Sequence, residues 1–370
     1  MSRSSKEPLL YTGNDDGDEM GREHEYSISS LKRHSSALFS RTRSLKVIIF
    51  SLTVFLGFIL FAFELYVSGL PYRPHPHHHI ERDRPLVLYV YKETRNAREN
   101  ALFFINHGLH DAADFVFILN GPNTLNQSIP TASNIKIVQR KNECYDLGAY
   151  GEVLTANDDE LIRNYKKFIF LNASIRGPFM PTWSRECWSD AYLAKVTPET
   201  KLVGMTFNCI PKWGKRHIQS MIMATDRTGL DALLPIFSTC FAGHSEAVYG
   251  ESNTTHAIFD AGYKVMAMMT AFSSEEDYAQ TCTNGDVLKP DGYFGGNLHP
   301  YETIFQKANR NLGDDTLYRL TKWTDKARYS SYEVCGKTRR ELEEKPLGGW
   351  GRWNEPLITI KERWVTSRRN

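Results

Sequence analysis

Short apolar runs alternate with helical patterns over residues 86–207. The continuous apolar run at 86–91 is typical of a strand covered on both faces of a sheet. Short apolar segments predict further strands at 114–119, 135–140, 167–171 and 201–207. Between them, apolar residues recur near the 3.6-residue period, which predicts helices over 98–109 and 146–165. This alternation of strands and helices indicates an α/β fold with a mostly parallel sheet.

An uncharged apolar run, VIIFSLTVFLGFILFAF, occupies residues 47–63. Its length is at the lower limit for a membrane-spanning helix, and residues 65–67 extend it past Glu64, so we predict a signal anchor over 47–67. Basic residues before the run, including Arg43 and Lys46, place the N-terminus in the cytosol. The alternative is a cleaved signal peptide, which fits less well because the leader is long and no A-x-A site follows.

Composition divides the rest of the chain. Residues 1–46 are rich in Ser, Gly and charge, which predicts a disordered cytosolic tail. Residues 68–84 form a Pro/His-rich stem, and its histidines are more typical of a solvated linker than of a metal site. Residues 85–335 are the predicted lumenal domain, and 336–370 a C-terminal tail with no assigned role. The net charge of +2 gives no reason to expect a nucleic-acid partner.

The cysteines and the N-x-S/T triplets both indicate the secretory pathway. All six cysteines follow the predicted anchor, and an even number in an oxidising lumen permits disulfides, with the pairing left open. Asn126, Asn172 and Asn253 begin glycosylation triplets, and we expect glycans on Asn126 and Asn253. These features predict a single-pass type II Golgi membrane protein.

Polar side chains follow two of the predicted strands. Ligands of open α/β sheets bind beyond the carboxyl ends of strands. Asn142 and Asp146 would hold a nucleotide base or ribose there, or Asp146 would only cap a helix. In the stretch FLNASIRGPF, Asn172 and Ser174 offer neutral hydrogen-bonding groups and Arg176 a cation suited to phosphate. This stretch has three interpretations: a glycan site, a degraded metal site or a substrate loop. Its place after the fourth predicted strand favours the substrate loop.

Two further clusters contain groups able to transfer protons. His217 and Gln219 begin an apolar run, although a lone histidine is more often structural. Glu251 is predicted near the start of a helix that Gly262 ends. A carboxylate there would serve as a general base, or would only stabilise the helix end.

Five segments, in their order, resemble a known family. KNECYDLGAYGEVL, FIFLNASIRGPFMP, RHIQSMIMATDR, GESNTTHAIFDAGYKV and LHPYETIFQKANR are similar to motifs of glycosyltransferases related to rhamnan-synthesis protein F. The resemblance covers about residues 85–312. It implies a single Rossmann-like nucleotide-sugar transferase domain of the A type behind the N-terminal transmembrane helix.

The resemblance also assigns the donor side of a site. It implies that Asn142 and Asp146 bind the nucleotide part of the donor, and that Asn172 and Ser174 stand in the place of an Asp-x-Asp motif. An amide and a hydroxyl do not replace two carboxylates on a hard divalent ion. Dependence on Mn or Mg is therefore left open, and Arg176 would help to neutralise the diphosphate.

The base and the acceptor side follow in the same way. Glu251 matches a recurring family acid and is expected to act as the base. His217 and Gln219, together with His299 and Glu302 of the last segment, would line or support the acceptor side.

The predicted function is transfer of a sugar, of the hexose or deoxyhexose class, from a nucleotide-sugar donor to a glycan or glycoconjugate acceptor. Inversion is expected because one base suffices for direct displacement. The alternative is a catalytically inactive, membrane-anchored carbohydrate-binding or scaffold protein on the same fold. The missing Asp-x-Asp motif is the reason to consider it.

Glycopeptide mapping tests the interpretation of FLNASIRGPF. Asn172 is expected to be unmodified, because an asparagine between a buried strand and a Gly-Pro turn leaves little room for a glycan. Asn126 lies in a polar loop and is the better acceptor. A glycan on Asn172 would remove that residue from the site and weaken the transferase interpretation.

Overall fold

The computed structural model describes residues 50–61, 84–209 and 215–337. The chain divides into two units, Met1–Pro76 and His77–Asn370. In the first unit the described residues form helix α1, over 50–61. Other predicted parts lie outside the described residues, namely 1–46, 47–49, 62–67, 68–83 and 338–370. Among the residues described, no helix is both long and apolar enough to cross a membrane.

The second unit is a mixed α/β domain. Its strands are β1 (Leu86–Lys92), β2 (Asp114–Asn120), β3 (Ile135–Arg140), β4 (Lys167–Asn172), β5 (Ile175–Arg176), β6 (Thr200–Gly204), β7 (Phe207–Asn208), β8 (His217–Ile218), β9 (Ile222–Asp226), β10 (Lys264–Ala267) and β11 (Gln306–Lys307). Its helices are α2 (Arg95–His107), α3 (Tyr145–Leu154), α4 (Ala156–Asn164), α5 (Trp188–Leu193), α6 (Arg227–Phe237), α7 (His244–Asp260), α8 (Tyr278–Thr281), α9 (Pro300–Thr303) and α10 (Asp314–Ala327).

Seven strands form one sheet in the order β10-β6-β9-β4-β1-β2-β3. The α/β prediction is confirmed, and the first four predicted strands match the observed ones to within one residue. Strand β9 was not predicted, and it runs antiparallel to both neighbours, β4 and β6. Between β6 and β9 the described residues form the short antiparallel pair β7–β8, whereas a parallel return needs a longer crossover.

Two helix predictions are corrected. The single helix predicted over 146–165 is two helices, α3 and α4, and residues 157–159 have positive φ. Asn and Asp adopt that conformation more readily than other side chains. Glu251 lies in the middle of α7 rather than near its start. The predicted helix start was wrong because small residues, Gly250, Ser252 and Thr254, form part of the buried face and hide its pattern.

All six cysteines pair, as Cys144–Cys240, Cys187–Cys335 and Cys209–Cys282. The partners are 96, 148 and 73 residues apart in sequence. Closing loops of this length stabilises a fold by about 4 to 5 kcal/mol each on the chain-entropy model. The first disulfide ties the start of α3 to the segment that follows α6.

Helix α3 packs closely on both the sheet and α6. The Tyr150 hydroxyl donates to the Leu171 carbonyl at 2.7 Å, which fixes the helix over β4. A Cβ on Gly151 would lie 2.0 Å from the Phe237 carbonyl oxygen, so only glycine permits this approach. The position of α3, and of the side chains in its first turn, depends on these contacts.

We expect Gly151→Ala to lower the free energy of unfolding by about 1 to 3 kcal/mol, because the added methyl group overpacks a backbone contact. Gly296→Ala is the matched control, since its Cβ would meet its nearest heavy atom at 3.8 Å. Chemical denaturation measures both variants. Equal stability of the two would contradict the close approach of α3 to α6.

Candidate functional site

The order of the strands reverses between β1 and β4. From β1 the chain continues to β2 and β3 on one side, and it returns as β4 on the other. Ligands bind beyond the carboxyl ends of strands at such a reversal. Strand β4 ends at Asn172, opposite Val90 of β1, and the Ala173 N–H donates to the Val90 carbonyl at 3.1 Å. The segment Asn172-Ala173-Ser174 therefore lies where a ligand is expected.

Four side chains form a continuous hydrogen-bonded chain at this place, which we call the Asp146–Lys307 network. Asn172 Nδ2 donates to Asp146 Oδ2 at 2.7 Å. Asn172 Oδ1 accepts from the backbone N–H of Ser174 at 3.1 Å and from its hydroxyl. Lys307 Nζ donates to Ser174 Oγ at 2.8 Å. The network joins the first turn of α3, the end of β4 and strand β11.

Burial shifts the pKa values of Asp146 and Lys307, the two residues at the ends of the network, toward neutral pH. Burial raises the pKa of Asp146 to about 6, against the opposing effects of Lys307 and Asn172. Burial lowers the pKa of Lys307 to about 8, with Arg310 acting in the same direction and three carboxylates opposing it. Titratable groups shifted in this way are concentrated at functional sites.

Two further carboxylates act on Lys307 from other elements. Glu251 of α7 accepts at Oε1 from the Ser220 N–H at 2.6 Å and from the Ser220 hydroxyl at 2.9 Å. Asp286 accepts from Gln219 Nε2 at 3.2 Å and pairs with Arg310 at 2.9 Å. Gln219 and Ser220, in the turn between β8 and β9, thus position the carboxylates of Asp286 and Glu251 near the network.

Arg176 does not take part in this cluster, so the expectation that it neutralises a ligand phosphate is corrected. Its Nε donates to Asn100 Oδ1 at 2.8 Å, and its guanidinium pairs with Glu99 at 3.2 Å. Arg176 is 7% exposed. Neighbouring residues of a strand point to opposite faces. Strand β5 pairs with β11 so that Arg176 lies opposite Gln306, and Lys307 points to the site instead.

The other predicted donor residues divide into two groups. Asp146 lies in the first turn of α3 and not at its N-cap, which is Cys144. Asn172 is buried and Ser174 half-buried in the network. Asn142 is exposed beyond β3, and a Cβ on Gly121 at the end of β2 would lie 3.4 Å from the Asn142 Cβ. Asn142 is therefore at the same edge of the sheet but outside the network.

The predicted acceptor-side residues lie around the same edge and hold loops together. His217 is buried, and its Nδ1 contacts the Lys215 carbonyl at 2.9 Å. His299 is exposed, and its Nδ1 accepts from the Tyr301 N–H at 3.2 Å, which caps α9. Glu302 accepts from the Tyr293 hydroxyl at 2.7 Å. Their role toward an acceptor stays a prediction.

Two predicted glycosylation sites differ in their surroundings. Asn126 is exposed in the short 3₁₀ turn Leu125–Ser128. Asn253 is half-buried within α7, where its Oδ1 accepts from Lys215 Nζ at 2.5 Å. Glycosylation at either residue stays a prediction.

The cluster does not fit a hard divalent ion as it is arranged. Asn172 presents its donor nitrogen to Asp146, and its oxygen is bound by Ser174. Over the described ranges, one group of three His, Cys, Asp or Glu side chains has its ligand atoms within 4.8 Å of one another, namely His110, Cys187 and Cys335. Its cysteines form a disulfide and are not thiolate ligands.

Three site residues were not predicted from the sequence, namely Lys307, Asp286 and Arg310. Lys307 belongs to the segment LHPYETIFQKANR, in which only His299 and Glu302 were selected. Strand β11 has two residues, so no periodic pattern marks its lysine as inward-facing. Asp286 lies in an irregular loop with no strand before it to suggest a ligand position.

No family model matches the chain, and no curated protein matches it. Solved structures resemble it in part. A mannosyltransferase from Pyrobaculum calidifontis, in complex with GDP-Man and Mn2+, is 12% identical with a TM-score of 0.32, over 50% of this chain and 55% of that one. The glycosyltransferase GlyE of Streptococcus pneumoniae is 10% identical with a TM-score of 0.38, over 68% and 66%.

A cytidylyltransferase from Leptospira borgpetersenii serovar Hardjo-bovis is 11% identical with a TM-score of 0.32, over 69% of this chain and 98% of that one. The matched region thus spans about half of the mannosyltransferase and 66% of GlyE. These neighbours are glycosyl- and nucleotidyl-transferases. Likenesses of this size carry no argument about activity, which has to be inferred from the site itself.

We expect Arg176→Met to lower the free energy of unfolding by about 2 to 4 kcal/mol, because the buried Glu99 carboxylate loses its buried cation. Glu99 keeps its pair with Arg95, a largely exposed side chain 3.5 Å away, which offsets part of the loss. Lys264→Met is the control. Lys264 pairs with Glu199 at 3.7 Å with both side chains largely exposed, and its loss should cost less than about 1 kcal/mol. Chemical denaturation measures both variants. Equal effects would contradict a structural role for Arg176.

Proposed function

We propose that this chain is a glycosyltransferase that uses a nucleotide-sugar donor and a glycan or glycoconjugate acceptor. One observation carries the proposal: the Asp146–Lys307 network lies at the strand-order reversal, and Glu251 acts on the same lysine. A nucleotide sugar presents a diphosphate, a ribose and a base. The cluster offers a cation, neutral hydrogen-bonding groups and three carboxylates at one edge of the sheet.

On the donor side, the proposal assigns the diphosphate to the network and the nucleoside to the carboxyl ends of β1, β2 and β3. Asn142 is exposed at that edge, beside Gly121. Asp146 lies closer to the sheet centre, held by Asn172. The sugar would then lie toward α7, where Glu251 is located.

Glu251 is the proposed general base. Its carboxylate takes the proton of an acceptor hydroxyl, whose oxygen bonds to the anomeric carbon of the donor sugar. The bond between that carbon and the diphosphate oxygen breaks, and its electron pair leaves with the nucleoside diphosphate. Both hydrogen bonds from Ser220 end on Oε1, so Oε2 is the oxygen proposed to receive the proton. One displacement inverts the anomeric configuration.

The acceptor is proposed to approach over the segment 291–302. Phe294 is 67% exposed and Tyr301 43% exposed, and such rings suit the apolar faces of sugars. Glu302 holds this segment by accepting from the Tyr293 hydroxyl. His299 stacks edge-on against Tyr301, with ring centroids 5.0 Å apart.

A type II Golgi membrane location remains part of the proposal. Helix α1 exposes large apolar side chains along its length, including Phe50, Phe55 and Phe58. A helix that is apolar all round suits a lipid or protein environment better than water. The three disulfides are typical of proteins that fold in an oxidising compartment.

One observation favours a second candidate, a catalytically inactive carbohydrate-binding or scaffold protein on the same fold. Asn172 and Ser174 offer no carboxylate where a metal-dependent transferase would have two. In that case Glu251→Gln would leave cellular glycans unchanged, whereas deletion of the whole gene would alter them.

We expect Glu251→Gln to slow transfer by about 10² to 10⁴-fold, because the isosteric amide cannot accept the proton. The assay is turnover of a panel of labelled nucleotide sugars by the purified full-length protein. Donor affinity should change far less than the rate, because Glu251 influences the donor only through its charge near Lys307. Glu246→Gln on the same helix is the control, because Glu246 is exposed and caps the segment before α7. Its activity should equal that of the wild type.

Two results would count against these assignments. An unchanged rate for Glu251→Gln would remove Glu251 as the base. No turnover or binding of any donor by the wild type, with and without manganese, would contradict the transferase proposal as a whole.

A further inference from the structure

Lys307 is an unusual residue to bury. It is 8% exposed, lies on a two-residue strand, and donates to Ser174 Oγ at 2.8 Å. Burial of an ammonium group is costly unless a partner of opposite charge or a functional role offsets it. Its direct hydrogen-bond partner here is a neutral hydroxyl, so that contact alone does not explain why a lysine occupies the position.

The surroundings of Lys307 restrict what it binds. Asp146 of α3, Glu251 of α7 and Asp286 of the loop before α9 attract it, and Arg310 repels it. Asp286 is itself paired with Arg310, and Glu251 is held by Ser220. Asp146 accepts from Asn172. Each acid thus has a hydrogen-bonding partner other than the lysine. Within the described part of the chain Lys307 makes one side-chain hydrogen bond, to Ser174, which leaves two of its three N–H groups for a ligand.

We propose that Lys307, with Ser174, binds the diphosphate of the donor directly, so that this site needs no divalent metal ion. The inference rests on the function proposed above and names the group that compensates the leaving-group charge. When the anomeric C–O bond breaks, the electron pair moves to the β-phosphate oxygen. An N–H of Lys307 donates a hydrogen bond to that oxygen and stabilises it.

The geometry supports this role over a metal site. The neutral Asn172-Ala173-Ser174 segment stands at the strand end, and the ammonium group of Lys307 lies within hydrogen-bond distance of it. The carboxylates of the cluster are engaged by Asn172, Ser220, Gln219 and Arg310. The ammonium group of Lys307 supplies positive charge from the protein itself, whereas a hard divalent metal ion would need several free oxygen ligands.

The inference has a definite pH dependence. A bound diphosphate favours protonated Lys307, whose pKa burial holds at about 8 in the free protein. Between pH 7 and 9 the free protein loses that proton, so binding must recover it. Affinity should therefore fall as pH rises through this range, by at most about tenfold per pH unit. Binding through a metal ion held by ionised carboxylates would not weaken in this way.

Isothermal titration of the full-length protein with UDP, GDP and dTDP, in EDTA and in Mn2+, tests the inference. At least one nucleotide should bind in EDTA with the pH dependence above. Lys307→Met should weaken it by about 10- to 100-fold at pH 7, the loss expected for a charge-assisted hydrogen bond. Ser174→Ala should weaken it less. Lys264→Met, at an exposed site, should bind as the wild type does.

Lys307→Arg separates a charge role from a packing role. Arginine stays protonated over this range, so the variant should retain binding and lose the pH dependence between 7 and 9. A residue that only held β11 in place would not change the slope. Thermal unfolding of each variant shows whether it is folded.

The outcomes distinguish the two proposals. Nucleotide binding that requires Mn2+, or that survives Lys307→Met in a folded protein, would overturn the role of Lys307 and leave the transferase proposal standing. Absence of binding by all three nucleotides under both conditions would overturn both. A wild-type affinity that rises or stays level between pH 7 and 9 would also contradict the role of Lys307.

Discussion

The amide of Asn172 is the interaction on which the candidate site depends. It is buried at the end of β4 and uses both of its functional ends, since the nitrogen donates to Asp146 and the oxygen accepts from Ser174. An aspartate at this position would have no donor for Asp146, and two carboxylates would face each other at hydrogen-bond distance. Such pairs ionise together only at a large cost. The segment is therefore consistent in itself as a neutral loop.

The pairing of β5 with β11 decides which cation reaches this loop. Two residues of each strand are involved, and their alternation sends Arg176 toward α2 and Lys307 toward Ser174. The arginine pairs with the buried Glu99 and stabilises the contact between β5 and α2. The lysine remains with two donors at the edge where the strand order reverses. A shift of β11 by one residue would place Lys307 opposite Arg176, on the face turned away from Ser174.

The sequence predicts the strands of the sheet better than it predicts the residues of the candidate site. Strands β1, β2 and β4 are apolar runs, and almost all of their residues are buried, as such runs require. Strand β3 lies at the edge of the sheet, and none of its residues is fully buried. The importance of FLNASIRGPF also followed from the sequence, because Asn172 comes directly after the fourth strand. Lys307 did not follow, because it reaches the loop from 133 residues away. A contact of that range depends on tertiary packing, which local patterns do not report.

A structure of the full-length protein with a bound nucleoside diphosphate tests the central claim most directly. The account predicts phosphate oxygens within hydrogen-bond distance of Lys307 Nζ and Ser174 Oγ, with the nucleoside toward Asn142. A nucleotide at the opposite edge of the sheet would contradict it. A cavity of about 430 Å³, lined by Arg84, Lys167 and Asp190, lies there beside the amino ends of β1 and β4.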